Sequence, residues 1–276
     1  MSEMICDASL VPEKGERTLR LVSNNILHQA IVNSEERLQG LIAAYKVYGA
    51  DIFSLQEVDK VWREEYHFCD TMISLGYKPA AGHEDSPTPV FYKADKFDCV
   101  DSGRISFDLT ETPEKEGRTL WWTCLEEKAS GKRIVATSCH FISSGGKATS
   151  DEQKEHRELH RRTCARQLPV LLKQLCEKYG AVGVSAADFN ANCTSETYKT
   201  LSEGLNSARE LAPVRVNMDY MTSCWIKRAP YHEPMTAIDH VFYTDGITPE
   251  RYEVFIEEFS YAYTDHVPVF FDFVLD

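Results

Sequence analysis

Val184-Ser185-Ala186-Ala187-Asp188-Phe189-Asn190 reads as a buried β-strand that ends in chemistry. Small and β-branched apolar residues run up to Asp188, and there the apolar pattern breaks into polar side chains. One such ending is ordinary, because an Asp or Asn after a strand commonly serves a turn or a helix cap. Here the ending recurs along the chain. Asn25 closes a strand-like run over 18–27, and Glu57 closes another over 51–58. His140 ends the run 133–141, Asp239-His240 interrupts 238–244, and Asp265-His266 stands directly before 267–274. Further strand-like runs lie at 89–93, 120–126, 181–189 and 252–259.

Helical periodicity separates some of these strands. Leu38, Leu41, Ile42 and Tyr45 fall at i, i+3, i+4, i+7, and Leu168, Leu171, Leu172 and Leu175 repeat the spacing in a helix that Gly180 can close. A third helix is expected over 62–75, ending at Gly76, and a fourth begins near Ser195. The charged stretch 143–160 reads as a loop followed by the solvated start of a helix. No repeat, low-complexity segment or linker interrupts the 276 residues, so one domain over 1–276 is expected, with 1–17 a poorly ordered lead-in. Many strands and few helices point to two packed sheets flanked by helices.

Composition narrows the partners. Thirty Lys+Arg against 43 Asp+Glu leave a formal charge of -13, which disfavours a long polyanion held by its phosphates. Nine cysteines stand singly with no C-x-x-C pair, the usage of a reducing, cytoplasmic setting. The N-terminus lacks an apolar signal region, and no apolar run is long enough to span a bilayer.

Six motifs in order resemble the endonuclease/exonuclease/phosphatase superfamily, from about Leu19 to Phe273. They are Asn25-Ile26-Leu27, Leu55-Gln56-Glu57-Val58, Ser138-Cys139-His140-Phe141, Ala187-Asp188-Phe189-Asn190-Ala191, Ile238-Asp239-His240-Val241-Phe242 and Thr264-Asp265-His266-Val267-Pro268-Val269. The middle stretch, Pro89 to Lys93 through Phe97 and Asp101-Ser102-Gly103, looks most like small bacterial members. The resemblance implies an α/β (α+β) fold, a four-layer αββα sandwich of two mixed sheets between helices, and hydrolysis of a phosphoester by water.

It also implies roles. Glu57 and Asn25, with Asp265, are expected to offer oxygen ligands to Mg2+ or Mn2+, hard cations that polarise phosphoryl oxygens. Asp239 would hold His266 in one tautomer. His266 would then deprotonate the water or contact the phosphate, and Asp188 is the other candidate for orienting or activating the water. Asn190 would fix the water or a phosphate oxygen, and His140 would donate to a non-bridging oxygen. The chain departs from the family pattern with Asn24 for an aromatic, Ala187 for Gly and Thr264 for Ser, which leaves substrate class open.

Lesser candidates complete the set. His28 and His83 could line the cleft for substrate. His156-Arg157 and His160-Arg161-Arg162 could meet phosphates but read first as a solvated helix start. His240 reads as structural, and Trp121-Trp122 puts one ring on each side of a strand. The favoured function is a phosphomonoesterase or phosphodiesterase acting on a small molecule or lipid headgroup, in a pocket bounded by the loops after Asn25, Gly82 and His140. A DNA or RNA nuclease is the alternative; a silent binding module is disfavoured by the intact polar set. The sequence leaves the oligomeric state open and is compatible with a monomer.

Overall fold

Every residue of β1 (Leu19–Asn25) is buried, because other layers cover both of its faces. In the computed structural model, residues 6–28, 34–145, 149–233 and 235–276 are described. After β1 come α1 (Ser34–Val47), β2 (Ile52–Gln56), the short helices α2 (Lys60–Glu64) and α3 (Phe68–Ser74), and β3 (Tyr77–Pro79). Then follow β4 (Val90–Lys93), β5 (Phe97–Ser106), β6 (Thr119–Glu127) and β7 (Arg133–Ser138). The second half holds α4 (Asp151–Tyr179), β8 (Val182–Asp188), α5 (Glu196–Gly204), β9 (Asn206–Ser207), α6 (Ala208–Leu211) and β10 (Val214–Val216). It ends with β11 (Asp239–Tyr243), β12 (Ile247–Val254), α7 (Glu258–Tyr261) and β13 (Val269–Leu275).

The strands form a seven-stranded sheet, ordered β10-β12-β13-β1-β2-β4-β3, and a six-stranded sheet, ordered β5-β6-β7-β8-β11-β9. Alternation along β1 and β13 divides the core. Leu19, Leu21, Val269 and Phe271 turn inward to meet Ile134, Val184 and Val241 of the other sheet. Val22 and Phe270 turn outward onto Leu41, Tyr45 and Tyr48 of the α1 region. On the far side, Leu168 and Leu172 of α4 cover Val135 and Cys124. Three apolar layers between four structural layers are the expected αββα sandwich. Leu21 sits fully buried in the central layer, where truncation to Ala costs about 2–5 kcal/mol.

Strand direction brings the polar endings together. β1 and β2 run parallel, so Asn25 and the residue after Gln56 emerge at one edge. β7 and β8 also run parallel, which sets His140 beside Asp188. β11 is antiparallel to β8 and pairs Asp239 with Asp188, and β13 starts opposite the end of β1. Just below that edge Gln56 Nε2 donates to Ser138 Oγ at 3.1 Å, and Ser138 Oγ donates to the Leu55 carbonyl at 2.9 Å, stapling the sheets.

Several elements differ from their sequence reading. The helix expected over 62–75 breaks into α2 and α3, since His67 takes the left-handed conformation (φ 48°) at the cap of α3. The strand read over 252–259 starts earlier and stops at Val254, and Glu258 already belongs to α7. Residues 97–106 form an edge strand too exposed to show a buried alternation. Within the stretch read as a lead-in, Val11 is buried and the Pro12 carbonyl accepts from Arg20 Nη2 at 2.7 Å, while most other residues of 6–17 are exposed. Residues 1–5 lie outside the described residues. The long helix α4 starts at a capping box built by Ser150 and Gln153 and ends on left-handed Gly180.

Candidate active site

Glu57 stands directly after β2 with φ 63°, and Asn190 after β8 with φ 50°. Asn tolerates this region and Glu does not, so the Glu57 backbone stores on the order of 1 kcal/mol or more of strain. That turn aims the carboxylate into the edge where the motifs meet. Glu57 Oε2 accepts the His28 N–H at 2.8 Å, and Oε1 accepts from Asn25 Nδ2 at 3.0 Å. Asn25 Nδ2 also reaches Asp188 Oδ2 at 3.1 Å, while the Leu27 N–H occupies Asn25 Oδ1 at 3.0 Å. The expected oxygen ligand is therefore turned round: its amide nitrogen bridges two carboxylates.

Asp188 lies under both histidines. Its Oδ1 accepts the Asn190 N–H at 2.9 Å, and its Oδ2 lies 3.4 Å from His140 Nε2 and 3.8 Å from His266 Nε2. Burial opposes its charge, but the hydrogen bond and charge of His140 and the charge of His266 hold its pKa below the usual carboxylate range. His140 Nε2 is also 3.0 Å from Asn190 Nδ2, which donates to the Phe141 carbonyl at 2.9 Å as well. A protonated ring favours Asp188 and a neutral ring accepts from Asn190, so the imidazole has a partner in either state. Burial works against His140's charge too, yet Asp188 and Glu57 raise its pKa.

His266 Nδ1 is 2.8 Å from Asp239 Oδ2. Against the cost of burial, Asp239, Asp188 and Asp265 raise the imidazole pKa well above its ordinary value. Asp239 itself is pushed up by burial and by Asp188, with His266 pulling the other way. The backbone around the dyad is tied down. Thr264 Oγ1 donates to the Asn25 carbonyl at 2.7 Å and accepts the His266 N–H at 3.3 Å, so Thr supplies the hydroxyl that Ser would. Asn24, buried where an aromatic was expected, accepts from Tyr45 Oη at 2.9 Å and donates to the His266 carbonyl at 3.4 Å.

The carboxylates Glu57, Asp188, Asp239 and Asp265 suit a cation. Asp265 Oδ1 is buried with no hydrogen-bond partner, and burial, Glu57 and Asp188 push its pKa up. Asp188, Asp239 and His266 each bring one ligand atom within 4.8 Å of the others. Such a concentration of oxygen donors is a possible divalent-cation site.

Beside it lies a cleft of about 530 Å³ lined by His28, Glu57, Asp85, Thr88, Arg104, Arg118, Trp121 and His140 among others. His28 thus reaches the cleft as expected. His83 does not. It is fully buried, with Nε2 3.1 Å from the Trp122 carbonyl and Nδ1 accepting the Val90 N–H at 3.1 Å. Protonation would cost the second bond, and burial lowers its pKa to about 4. His240 is structural: it is buried against Phe189 and Tyr198, with its pKa lowered to about 3 by burial. On α4, His160 bonds to the Glu116 carbonyl and Arg161 to Glu158 and the Ile142 carbonyl, so these side chains hold the fold. Arg104 and Arg118 are the two arginines that line the cleft. Sequence reading missed them because only the pairing of β5 with β6 brings them to the edge.

The chain belongs to the endonuclease/exonuclease/phosphatase family. The match runs over residues 25–266, opening at Asn25 and closing at His266, the first and last side chains of the site. As a member it is a phosphoesterase of that superfamily. Solved structures share the fold. A family protein from Bacteroides thetaiotaomicron is 21% identical with a TM-score of 0.74, covering 94% of this chain and 95% of that one. A mannosyl-6-phosphatase from the same organism is 19% identical with a TM-score of 0.73, covering 93% and 100%. D. rerio TDP2 complexed with a single-strand DNA product is 17% identical with a TM-score of 0.66, covering 94% and 99%. A comparison with curated protein sequences finds no match. Among the described residues, no helix is long and apolar enough to cross a membrane.

Proposed function

We propose that the chain hydrolyses a small phosphoester with Mg2+ or Mn2+, by attack of water on phosphorus. The observation that carries this reading is the shape and charge of the cleft. It holds about 530 Å³, a volume suited to a small molecule, and its carboxylates Glu57, Asp59, Asp85 and Glu116 outnumber its two arginines. A nucleic-acid groove needs a run of cationic or amide donors for successive phosphates. The fold shared with a mannosyl-6-phosphatase agrees with a small substrate, and the fold shared with a DNA-bound structure keeps a nuclease as the alternative.

Glu57 and Asp265 would hold the cation, with Asn25 keeping Glu57 in place, and the bound ion would polarise the phosphoryl oxygens. Asp239 accepts from His266 Nδ1, which leaves Nε2 turned toward Asp188. Asp188, oriented by the Asn190 N–H and the Asn25 amide, would accept a proton from water. His140 and His266, whose Nε2 atoms both lie near Asp188 Oδ2, would donate to phosphate oxygens, where charge builds in the transition state. The nine unpaired thiols suit a reducing, cytoplasmic setting.

A screen of phosphomonoesters, phosphodiesters and oligonucleotides with Mg2+ and Mn2+ tests the reading. Turnover of small phosphoesters is expected. Salt-sensitive cleavage of oligonucleotides with no small phosphoester turned over would overturn it.

A further inference from the structure

One wall of the cleft carries more than the chemistry at phosphorus requires. The register of the β5–β6 hairpin sets Arg104 directly opposite Trp121, and the guanidinium lies over the indole, 5.5 Å from the ring centroid. The indole is held. It is 7% exposed and packs edge-on against His83, with ring centroids 5.1 Å apart, and His83 is pinned by bonds to the Trp122 carbonyl and the Val90 N–H. Arg118 joins from the same hairpin, where its carbonyl accepts the Phe107 N–H at 3.0 Å. Its Nη2 pairs with Glu116 Oε1 at 2.7 Å, and its buried Nε has no hydrogen bond. Among the described residues Arg104 pairs with no carboxylate, in a chain where acidic groups outnumber basic ones 43 to 30. Both arginines line the cleft that Glu57 and His140 also line.

We propose that Arg104 and Arg118 form a subsite for a second anionic group, so that the preferred substrate is a small molecule bearing a phosphate or carboxylate besides the scissile phosphoester. The inference rests on the reading of the chain as a small-molecule phosphoesterase. A guanidinium offers a planar pair of donors that matches either anion. Arg104 is preorganised for this by the ring beneath it, and Arg118 has donors to spare beyond its pairing with Glu116. Glu57, Asp59 and Asp85 line the cleft away from the hairpin, whereas on the hairpin wall the two arginines outnumber the one carboxylate, Glu116, so a second negative charge is welcome there.

The test is competition. Hydrolysis of 4-nitrophenyl phosphate or bis(4-nitrophenyl) phosphate is followed at fixed free Mg2+. The inhibitors are glucose 6-phosphate, glucose 1,6-bisphosphate and 6-phosphogluconate, which share a hexose-derived skeleton and differ in the second anion. At least one of the last two is expected to bind about tenfold more tightly than glucose 6-phosphate. Arg104→Met should erase most of that preference and Arg104→Lys keep part of it; the bisphosphate and phosphogluconate arms say which anion is read. Equal inhibition by all three in the native protein, or an equal loss for all three in Arg104→Met, would overturn the subsite while leaving small-ester hydrolysis intact. Failure to hydrolyse either nitrophenyl ester, with oligonucleotides cleaved, would remove the parent reading and the subsite with it.

Discussion

Asp239 and His266 meet at 2.8 Å although they come from different sheets, Asp239 from the start of β11 and His266 from the turn before β13. The dyad therefore reports the packing of the whole sandwich as well as its own chemistry. His266→Ala is expected to lower kcat by about a hundredfold or more with the far-ultraviolet circular dichroism unchanged. Asp239→Asn removes the strongest attraction that holds the proton on His266, so the imidazolium loses its proton at lower pH. The alkaline limb of the pH–rate profile should move down accordingly. A limb that stays put would mean that His266 is not the group whose charge the reaction needs.

Metal dependence follows from the crowded carboxylates. EDTA should abolish turnover and Mg2+ or Mn2+ should restore it. Glu57→Gln should raise the Mg2+ concentration for half-maximal activity by about tenfold or more, the result of losing one hard anionic ligand. In the native protein Mg2+ should also raise the unfolding midpoint, by about 2.7 kcal/mol of added stability at a hundred times its Kd. Full activity in chelator would sink the assignment.

Gly40 of α1 faces the ring of Tyr263, next to the Thr264-Asp265-His266 turn. A Cβ there would lie 2.2 Å from the ring. Gly40→Ala is therefore expected to cost about 1–3 kcal/mol by overpacking, despite the better helix propensity of Ala. Because Tyr263 leads into the site turn, kcat should fall together with stability. Urea denaturation and steady-state kinetics on the one variant check both; stability unchanged or improved would show that the ring has room to move.

His83 supplies a pH-dependent term with a definite sign. Its folded pKa, about 4, lies below that of the unfolded chain, near 6.5. Between those values the unfolded state binds the extra proton, so this residue's contribution to stability falls as pH drops from about 6.5 toward 4. An Asn at this position does not titrate. The stability difference between the native protein and His83→Asn, measured by urea midpoints, should narrow over that window. A difference that holds constant from pH 7 to pH 4.5 would refute the neutral, doubly bonded assignment.

Asn25, Glu57, His140, Asp188, Asp239 and His266 were legible in the sequence because each ends or interrupts a strand-like run, and a polar break in an apolar pattern is local information. The α1 and α4 stripes were legible for the same reason. Local information failed where neighbours decide. The break at His67 is a single left-handed residue inside a helical pattern, and β5 is an exposed edge strand without buried alternation. His83 carried no mark in the sequence to tell a cleft ligand from a buried ring support; the Val90 N–H and the Trp122 carbonyl that claim its two nitrogens lie 7 and 39 residues away.

The order of the motifs along the chain determined the four-layer sandwich and which polar side chains close its strands, since strand period and strand ends are written in consecutive residues. Which groups share the cleft was decided only in three dimensions. Parallel pairing of β1 with β2 and of β7 with β8, and antiparallel pairing of β11 with β8, gather the polar ends at one edge. The turn of the Asn25 amide toward two carboxylates and the arrival of Arg104 over Trp121 depend on distances between strands. Hydrogen bonds and charge interactions act through space over a few ångströms, so residues remote in sequence set the electrostatics of the site.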